Sequence, residues 1–225
     1  VINIITKKSA DAGELQLTAG NNDRRQYIFN YGVQTDKLGF RVYANKSKQD
    51  AYLRNSDYDN EQAGINLNYK LSQTDSLRFN YDHQQLKRGL VIANNTSNFD
   101  SRYPISSGDT FANSNAAPED GSYTKIYRNN FNVTWNSDRD SGGDSLTYWK
   151  NYEKQREHNV NAGKVMFDRY NVTDKSSGVM YKGNAKVNNK HHLGYGVDYK
   201  RLRYGYGWYN SNATVTSNGE TRPAG

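Results

Sequence analysis

The 225 residues of this chain carry a net charge of +7 and include 19 tyrosines, three prolines and no cysteine. The absence of cysteine excludes structural disulfides, cysteine-bound zinc and a catalytic thiol. The positive charge permits attraction to nucleic acid, anionic lipid or an anionic ligand. Lys and Arg are scattered among acidic residues, however, which argues against a dedicated nucleic-acid patch. The longest apolar stretch is residues 1–5, interrupted by Asn3, so no segment approaches the roughly 20 residues of a transmembrane helix.

Apolar or aromatic residues recur at every second position along most of the chain. The clearest segment places Ala63, Ile65, Leu67, Tyr69 and Leu71 on one parity and polar residues or glycine on the other. This alternation is typical of a β-strand with one apolar and one polar face. The same pattern predicts about nine strands, near residues 15–19, 27–33, 40–44, 63–71, 77–81, 127–135, 146–152, 179–187 and 193–199. We therefore predict an all-β chain.

Short and long connections alternate between the predicted strands. Short turns are predicted near residues 21–23, 35–37, 72–76 and 188–190, and a turn of moderate length is predicted at 138–143. Longer loops are predicted at about 46–61, 87–122 and 157–176, followed by a tail from about 205. Transmembrane β-barrels have short periplasmic turns and long extracellular loops, and their polar interiors keep the average hydropathy low. The sequence, with a mean hydropathy of -1.04, therefore predicts an antiparallel transmembrane β-barrel.

The predicted barrel is expected to be partial. An odd number of strands cannot close a bacterial single-chain barrel. The N-terminus also lacks a methionine, a basic region and an apolar region, which a signal peptide would contain. We expect the sequence to begin inside a longer chain and to end within an extracellular loop at residues 222–225.

The first residues carry the most specific motif. The string Val1-Ile2-Asn3-Ile4-Ile5-Thr6-Lys7-Lys8 resembles the segment that joins the N-terminal plug domain to the first barrel strand in TonB-dependent receptors. The strand at 13–20 and the hairpin ending at 39–41 follow at the expected distance, and residues 191–199 look like a strand start common in these receptors. The resemblance implies that residues 1–8 form the last strand of the plug. It also implies that residues 9–225 form the N-terminal part of a barrel of about 22 strands.

The resemblance also implies a function. It implies a non-enzymatic receptor, without a cofactor, that takes up a scarce ligand in a TonB-dependent way across the outer membrane of a Gram-negative bacterium. A ferric siderophore is the first choice of ligand, followed by haem and cobalamin. The implied partners are outer-membrane lipid and the TonB complex, which would act through a plug segment outside this sequence; nucleic acid is not among them. The alternative is a passive porin or a barrel adhesin without energy coupling, and a plug domain upstream of Val1 would distinguish the two.

Arginine and aromatic residues in or beside the predicted extracellular loops are the candidate ligand-binding residues. Arg presents forked donors to carboxylate or catecholate oxygens, and Tyr and Trp stack on flat chelates. We expect the ligand vestibule to draw on Tyr52, Arg54, Tyr58, Arg88, Tyr103, Arg169, Tyr170, Tyr204, Tyr206, Trp208 and Tyr209.

Three further groups of residues are expected to have structural roles. His191 and His192 are neighbours, and neighbours on a strand point to opposite faces, so no metal site is expected there. Aromatic residues near strand ends are expected to form the interfacial girdle: Tyr27, Trp135, Trp149 and Tyr152. Charged residues on the polar parity are expected to face the lumen, where they contact a plug or water: Arg78, Asp82, Lys182, Asp198 and Lys200.

Overall fold

The computed structural model describes residues 12–97, 99–108, 119–161, 164–188, 190–204, 208–209, 215–217 and 220–222. For residues 161 and 164–173, and from residue 204 onward, only the backbone is described. The predicted plug strand at residues 1–8 and the candidate residue Tyr206 lie outside the described residues.

Long strands connected in a simple meander make up most of the described chain. The long strands are β1 Ala12–Gly20, β2 Arg24–Gln34, β3 Leu38–Gln49, β4 Tyr58–Lys70, β5 Asp75–Gly89, β6 Tyr123–Arg139, β7 Gly142–Asn161, β8 Lys164–Lys186 and β9 His192–Tyr204. Each of them pairs antiparallel with the next. The short strand β10, Trp208–Tyr209, pairs with β8, and β11, Val215–Ser217, pairs with β12, Glu220–Arg222. The prediction of an all-β, antiparallel sheet of about nine long strands is confirmed, and the sheet is open.

Strand alternation gives the sheet one apolar and one polar face. The apolar parity of β4 lies opposite the apolar parity of both neighbouring strands; for example, Leu67 is opposite Phe40 of β3 and Phe79 of β5. The other parity carries mainly amides and charges, as where the side chain of Asn80 donates to that of Asn132 at 2.7 Å. A sheet with these two faces suits lipid on one side and an aqueous lumen on the other.

The apolar residues form a belt that crosses the register rows obliquely. One row of directly opposed residues, starting at β1, runs Leu15, Phe29, Ala44, Ala63, His83, Asn129, Tyr152, Lys175 and Arg203. This row is apolar in β1 to β4 and polar or basic at its β8–β9 end. A second row, nearer the short turns, is apolar from β9 back to β3: Val197, Tyr181, Leu146, Trp135, Leu77, Tyr69 and Leu38. Because barrel strands tilt by about 35–45°, an apolar belt at constant height in a bilayer must cross the rows in this way.

The connections at one end of the sheet are all short, as predicted. They span residues 35–37, 71–74, 140–141 and 187–191. At the other end, residues 90–122 form the long connection between β5 and β6, and residues 50–57 connect β3 to β4. The tight turn at 21–23 is also present, with positive φ at Asn22 and Asp23.

The prediction of a long loop at residues 157–176 is wrong. Strands β7 and β8 run through this segment, with 20 and 23 residues respectively, well beyond the 9–11 residues that cross a bilayer. Register shifts interrupt their pairing between Gln155 and Glu157 and between Asn159 and Val160. A bulge inserts a residue into one strand and breaks the period-two pattern, which explains why the sequence reads as a loop. Arg169 and Tyr170 therefore lie in a strand that continues past the apolar belt on the long-loop side.

Candidate ligand-binding site

A compact loop cluster, formed by residues 50–57, 90–108 and 119–122, covers the long-loop end of the sheet. The side-chain amide of Asn55 links its parts by donating to the carbonyls of Leu90 and Ser122, each at 2.7 Å. Leu90 and Ile92 are buried, with 4% and 2% of their surfaces exposed. Buried amide donors are stable only when paired, so Asn55 fixes the loops against one another.

Arg54 is held by an ion pair within this cluster. Its guanidinium lies 2.8 Å from the carboxylate of Asp120, and 19% of the Arg54 side chain is exposed. The hydrogen bond to Asp120 raises the pKa of Arg54 above its ordinary value. The carbonyl of Arg54 also accepts a hydrogen bond from the amide of Ile92 at 3.0 Å. Arg54 thus joins the β3–β4 connection to both ends of the β5–β6 connection.

Asn94 shapes the lobe that presents Arg102 and Tyr103. Its fully buried side chain donates to the carbonyls of Asp100, Tyr103 and Pro104 at 3.1, 2.8 and 3.1 Å. The Asn94 side-chain oxygen in turn accepts the amide of Asp100 at 2.7 Å. One asparagine therefore replaces the backbone partners that a regular element would supply.

The outer surface of this lobe carries an exposed cation beside an aromatic ring. The Arg102 guanidinium lies 2.6 Å from the Asp100 carboxylate and 5.5 Å from the centre of the Tyr103 ring. Hydrogen bonds from Arg102 lower the pKa of Asp100 to about 2. The Arg102 side chain is 77% exposed, so its outer edge remains accessible to an anionic group.

Several predicted site residues fall in one register row, here called the rim row. Tyr58, the first residue of β4, lies opposite Arg88 of β5, and both are on the polar parity. The row continues through Thr124 and Glu157, and the backbone pairing then brings in Arg169 of β8 and Tyr209 of β10. The meander therefore aligns backbone positions that are up to about 150 residues apart in sequence within one register row.

The remaining candidates are more dispersed. Tyr52 stands on the loop cluster with 60% of its surface exposed. Trp208 pairs with Tyr170 beside the rim row. Tyr204 is the last residue of β9 and lies opposite Asp174 of β8, which is two residues from Ser176. This register row lies nearer the short turns than the rim row does. The structure thus brings together the candidates on β4, β5, β8 and β10, and holds Arg54, Tyr52 and Tyr103 in the loop cluster beside them.

Below the rim row, the polar face carries a ladder of paired polar side chains. Arg128 of β6 forms an ion pair with Glu153 of β7 at 2.6 Å. Tyr43 donates to Asp82 at 2.5 Å, and Gln62 donates to the same carboxylate at 3.2 Å. The five charged residues predicted to face the lumen occupy the parity opposite the apolar belt: Arg78, Asp82, Lys182, Asp198 and Lys200.

One predicted girdle residue lies on the other face. Trp149 is opposite Asn132 of β6, on the polar parity. A Cβ added to Gly178 of β8 would lie 2.8 Å from the Trp149 ring, so the glycine makes room for the indole. Tyr27, Trp135 and Tyr152 are on the apolar parity, as predicted.

Sequence reasoning missed the residues that organise the loop cluster. Asn55, Asn94 and Asp120 build it, and Arg102 supplies its exposed cation. The position of Arg102 directly before the candidate Tyr103 was the one available signal. The asparagines gave none, because Asn is abundant throughout the chain.

Two negative findings apply to the described part of the chain. It contains no group of three His, Asp or Glu side chains placed to hold a metal ion. It also contains no helix long and apolar enough to cross a membrane.

An open antiparallel meander with one apolar and one polar face has the architecture of a section of β-barrel wall. The solved structure of the ferric-catecholate import receptor Fiu from E. coli K12, in its open form, contains a matching section. The match has a TM-score of 0.60 and 12% sequence identity, and covers 88% of this chain. The chain spans about a third of that receptor, 35% of its length. No protein family and no curated protein matches the sequence. The predicted fold, an antiparallel sheet that matches part of the barrel of a TonB-dependent receptor, is therefore confirmed.

Proposed function

We propose that this chain forms part of the barrel of an outer-membrane receptor for TonB-dependent uptake of a scarce ligand. A ferric siderophore is the ligand that we favour. The observation that carries the proposal is the fold match to an import receptor over most of the chain. The oblique apolar belt supports the membrane location, because its path keeps it at constant height on tilted strands.

The chemistry of the rim row and the loop cluster favours an anionic, aromatic ligand. Tyr58 and Arg88 stand opposite each other on the polar face, and Arg102 lies over the ring of Tyr103 in the loop cluster. Ferric catecholates combine aromatic rings with negatively charged oxygens, which these side chains can stack on and neutralise. Haem and then cobalamin are the next candidates, because receptors with this fold also include haem and cobalamin importers.

The test is ligand-specific uptake by cells that produce the native full-length protein. Cells lacking their other iron receptors would receive radiolabelled iron as the complex of 2,3-dihydroxybenzoylserine, with haemin and cyanocobalamin supplied in parallel. We expect iron accumulation from the catecholate that disappears when TonB is deleted. Uptake of haemin or cyanocobalamin alone would reassign the ligand, and absence of all TonB-dependent uptake would contradict the proposal.

A passive porin or barrel adhesin is the second candidate. The long connection at residues 90–122, with its buried Leu90, Ile92 and Asn94, would serve as a constriction or an adhesive surface. A porin would allow small sugars to cross reconstituted vesicles without TonB. If the protein is a plugged receptor, we expect the vesicles to remain impermeable to small sugars, because a plug blocks the lumen.

A further inference from the structure

Three oxygen-bearing side chains converge at the edge of the apolar belt nearest the short turns. The hydroxyl of Tyr181 in β8 donates to the Oδ1 atom of Asp144 in β7 at 2.6 Å. The hydroxyl of Tyr195 in β9 donates to the same oxygen at 3.0 Å. The rings of the two tyrosines lie beside each other, with their centres 6.0 Å apart. These three residues, here called the phenol–carboxylate cluster, come from three consecutive strands.

Gly183 of β8 opens the space in which the cluster forms. One register row runs from Asp144 through Gly183 to Tyr195, so the glycine stands between two members of the cluster. A Cβ at Gly183 would overlap the Tyr195 ring and would lie 2.6 Å from the Asp144 carboxylate. Any larger residue at this position would therefore push the phenol and the carboxylate apart. The three oxygen atoms meet in a cradle that the missing side chain leaves free.

The spacing of these oxygen atoms matches the ligands of a small, hard cation. In an octahedral site with metal–oxygen distances of about 2.0–2.1 Å, neighbouring ligand oxygens are about 2.9 Å apart. The hydroxyl oxygens of Tyr181 and Tyr195 lie 2.6 and 3.0 Å from the Asp144 oxygen. A cation that replaced the two phenolic protons would therefore require only small movements of the three side chains.

The charge of the cluster favours a trivalent cation. Once both phenols have lost their protons, two phenolates and one carboxylate carry three negative charges. Fe³⁺ cancels all three, whereas a divalent cation would leave a net negative charge at the edge of the apolar belt, where an uncompensated charge is costly. Tyrosine oxygen also binds iron in one class of haem protein. Binding of Fe³⁺ releases the two phenolic protons to solvent and changes no oxidation state.

Another carboxylate of the sheet shows what distinguishes Asp144. Asp82 on the polar face accepts a hydrogen bond from one phenol, that of Tyr43, and another from the amide of Gln62. Asp144 instead accepts from two phenols. Arg139 acts on Asp144 through its charge, and no hydrogen bond or ion pair joins these two residues. The Asp144 carboxylate is therefore not neutralised by a contacting cation.

We propose that Asp144, Tyr181 and Tyr195 form a binding site for ferric iron on the apolar face of the sheet, with water completing the coordination of the metal. Two of the three ligands are phenols, which distinguishes this site from the groups of His, Asp or Glu that the described residues lack. The site lies at the opposite end of the sheet from the candidate ligand-binding site. It takes Fe³⁺ as the ion rather than as a chelate, and it does not rest on the proposed receptor function.

Visible absorption tests the site directly, because phenolates bound to Fe³⁺ give a charge-transfer band that free phenols do not give. The native full-length protein in detergent would be titrated with ferric nitrilotriacetate. We expect a band that saturates and that Ga³⁺ removes, because Ga³⁺ has the same charge and gives no such band. Excess Mg²⁺ should leave the band unchanged. Absence of the band, or its removal by Mg²⁺, would overturn the proposal.

Single substitutions locate the iron. Tyr195→Phe keeps the ring and removes the ligand oxygen. Tyr199→Phe is the matched control, because it removes an exposed hydroxyl from the same face of the same strand. Loss of a hydrogen-bonded partner of a metal ligand typically costs about 10–100-fold in affinity, so loss of a ligand is expected to weaken Fe³⁺ binding at least about tenfold. The control should bind like the unaltered protein, and equal binding by the two variants would overturn the assignment.

Two further measurements separate a folding defect from loss of the site. Tyr181→Phe should show the same loss as Tyr195→Phe, and urea unfolding without iron would check that both variants remain folded. The resonance Raman spectrum of the unaltered, iron-loaded protein requires no variant. Excitation within the band should enhance the ring modes of phenolate, and their absence would contradict the proposal. Because all these measurements use purified protein, their outcome is independent of whether cells take up a ligand through it.

Discussion

Arg54 and Asp120 show how a residue chosen for its chemistry can have a second role. Arg54 was predicted to contact ligand, and its guanidinium is bonded to Asp120 at 2.8 Å within the loop cluster. An arginine with five donors can hold a carboxylate and still present an edge to an anion. The ion pair allows the two roles to be separated by experiment.

Arg54→Ala should weaken ligand binding by about tenfold or more, because a hydrogen bond to a charged group contributes about 1.5–3 kcal/mol. Asp120→Asn retains the cation and should weaken binding less. Arg169→Ala should also weaken binding. Affinities would be measured by quenching of intrinsic fluorescence. Equal loss in the Arg54 and Asp120 variants would restrict Arg54 to loop anchoring, and unchanged affinity in both arginine variants would remove them from the site.

The contact between Asp100 and Arg102 gives the loop cluster a dependence on pH. Hydrogen bonds from Arg102 lower the pKa of Asp100 from 3.8 to about 2. A carboxyl group whose pKa is lower in the folded state than in the unfolded state stabilises the folded loop fully at pH values above its unfolded-state pKa. This stabilisation is lost as the pH falls through its folded-state pKa.

We therefore expect residues 94–106 to be more protected from hydrogen exchange in the unaltered protein than in Asp100→Asn at pH 5. The difference should shrink between about pH 4 and pH 2, where the carboxylate becomes protonated. Comparison of the two proteins at matched pH removes the intrinsic pH dependence of exchange. A difference that persists at pH 2 would contradict this account.

At the scale of the element, glycines on the polar face make room for large aromatic rings. The ring of Tyr43 in β3 lies over Gly64 of β4, so that a Cβ at Gly64 would overlap it. The same ring ends in the hydroxyl that donates to Asp82 at 2.5 Å. Tyr43, Gly64 and Asp82 thus form one unit across three strands.

Gly64→Val should destabilise the barrel by about 1–3 kcal/mol, because the inserted side chain displaces a packed ring and breaks its hydrogen bond. Gly194→Val provides the control, since nothing lies within 4 Å of a Cβ at that position of β9. Urea unfolding in lipid vesicles would measure both. Equal stability of the two variants would show that the Tyr43 side chain can adopt another conformation without loss of stability.

At the scale of the whole molecule, the belt marks the face that the proposed membrane location would expose to lipid. Leu67 lies near the middle of the belt, opposite Phe40 and Phe79, and its neighbour Asn66 lies on the polar face. Leu67→Arg should cost about 2–4 kcal/mol of folding free energy in a bilayer. Asn66→Arg should cost little, because the lumen is hydrated.

Folding yield and heat-modifiable migration on gels, together with urea titration in vesicles, would measure both arginine variants. The two substitutions add the same charge at adjacent positions. The difference between their folding free energies therefore reports only on which face of the sheet carries the charge. Similar penalties for both would contradict the assignment of lipid to the belt side.

The sequence by itself determined the strands, the short turns and the two faces. Period-two alternation is a local property, and it is strong wherever a strand has one apolar and one polar face, as in β4 from Ala63 to Leu71. The prediction from alternation failed for the part of β7 beyond Lys154 and for the part of β8 that pairs with it. There the register between the two strands shifts at two points, and the alternation changes parity. The separate prediction of an aromatic girdle is wrong for Trp149, because the register places it opposite Asn132 on the polar face.

Only the tertiary structure decided which distant residues share a place. The backbone positions of Tyr58, Arg88, Arg169 and Tyr209 align in one row because the register fixes one strand against the next. A shift of one residue in β4 or β5 would have moved the side chains of Tyr58 or Arg88 to the other face. The loop cluster depends on Asn55 and Asn94, whose bonds reach carbonyls far along the chain or across the lobe. Local patterns specify strands because neighbouring side chains alternate, whereas sites depend on pairing between strands, which no local pattern encodes.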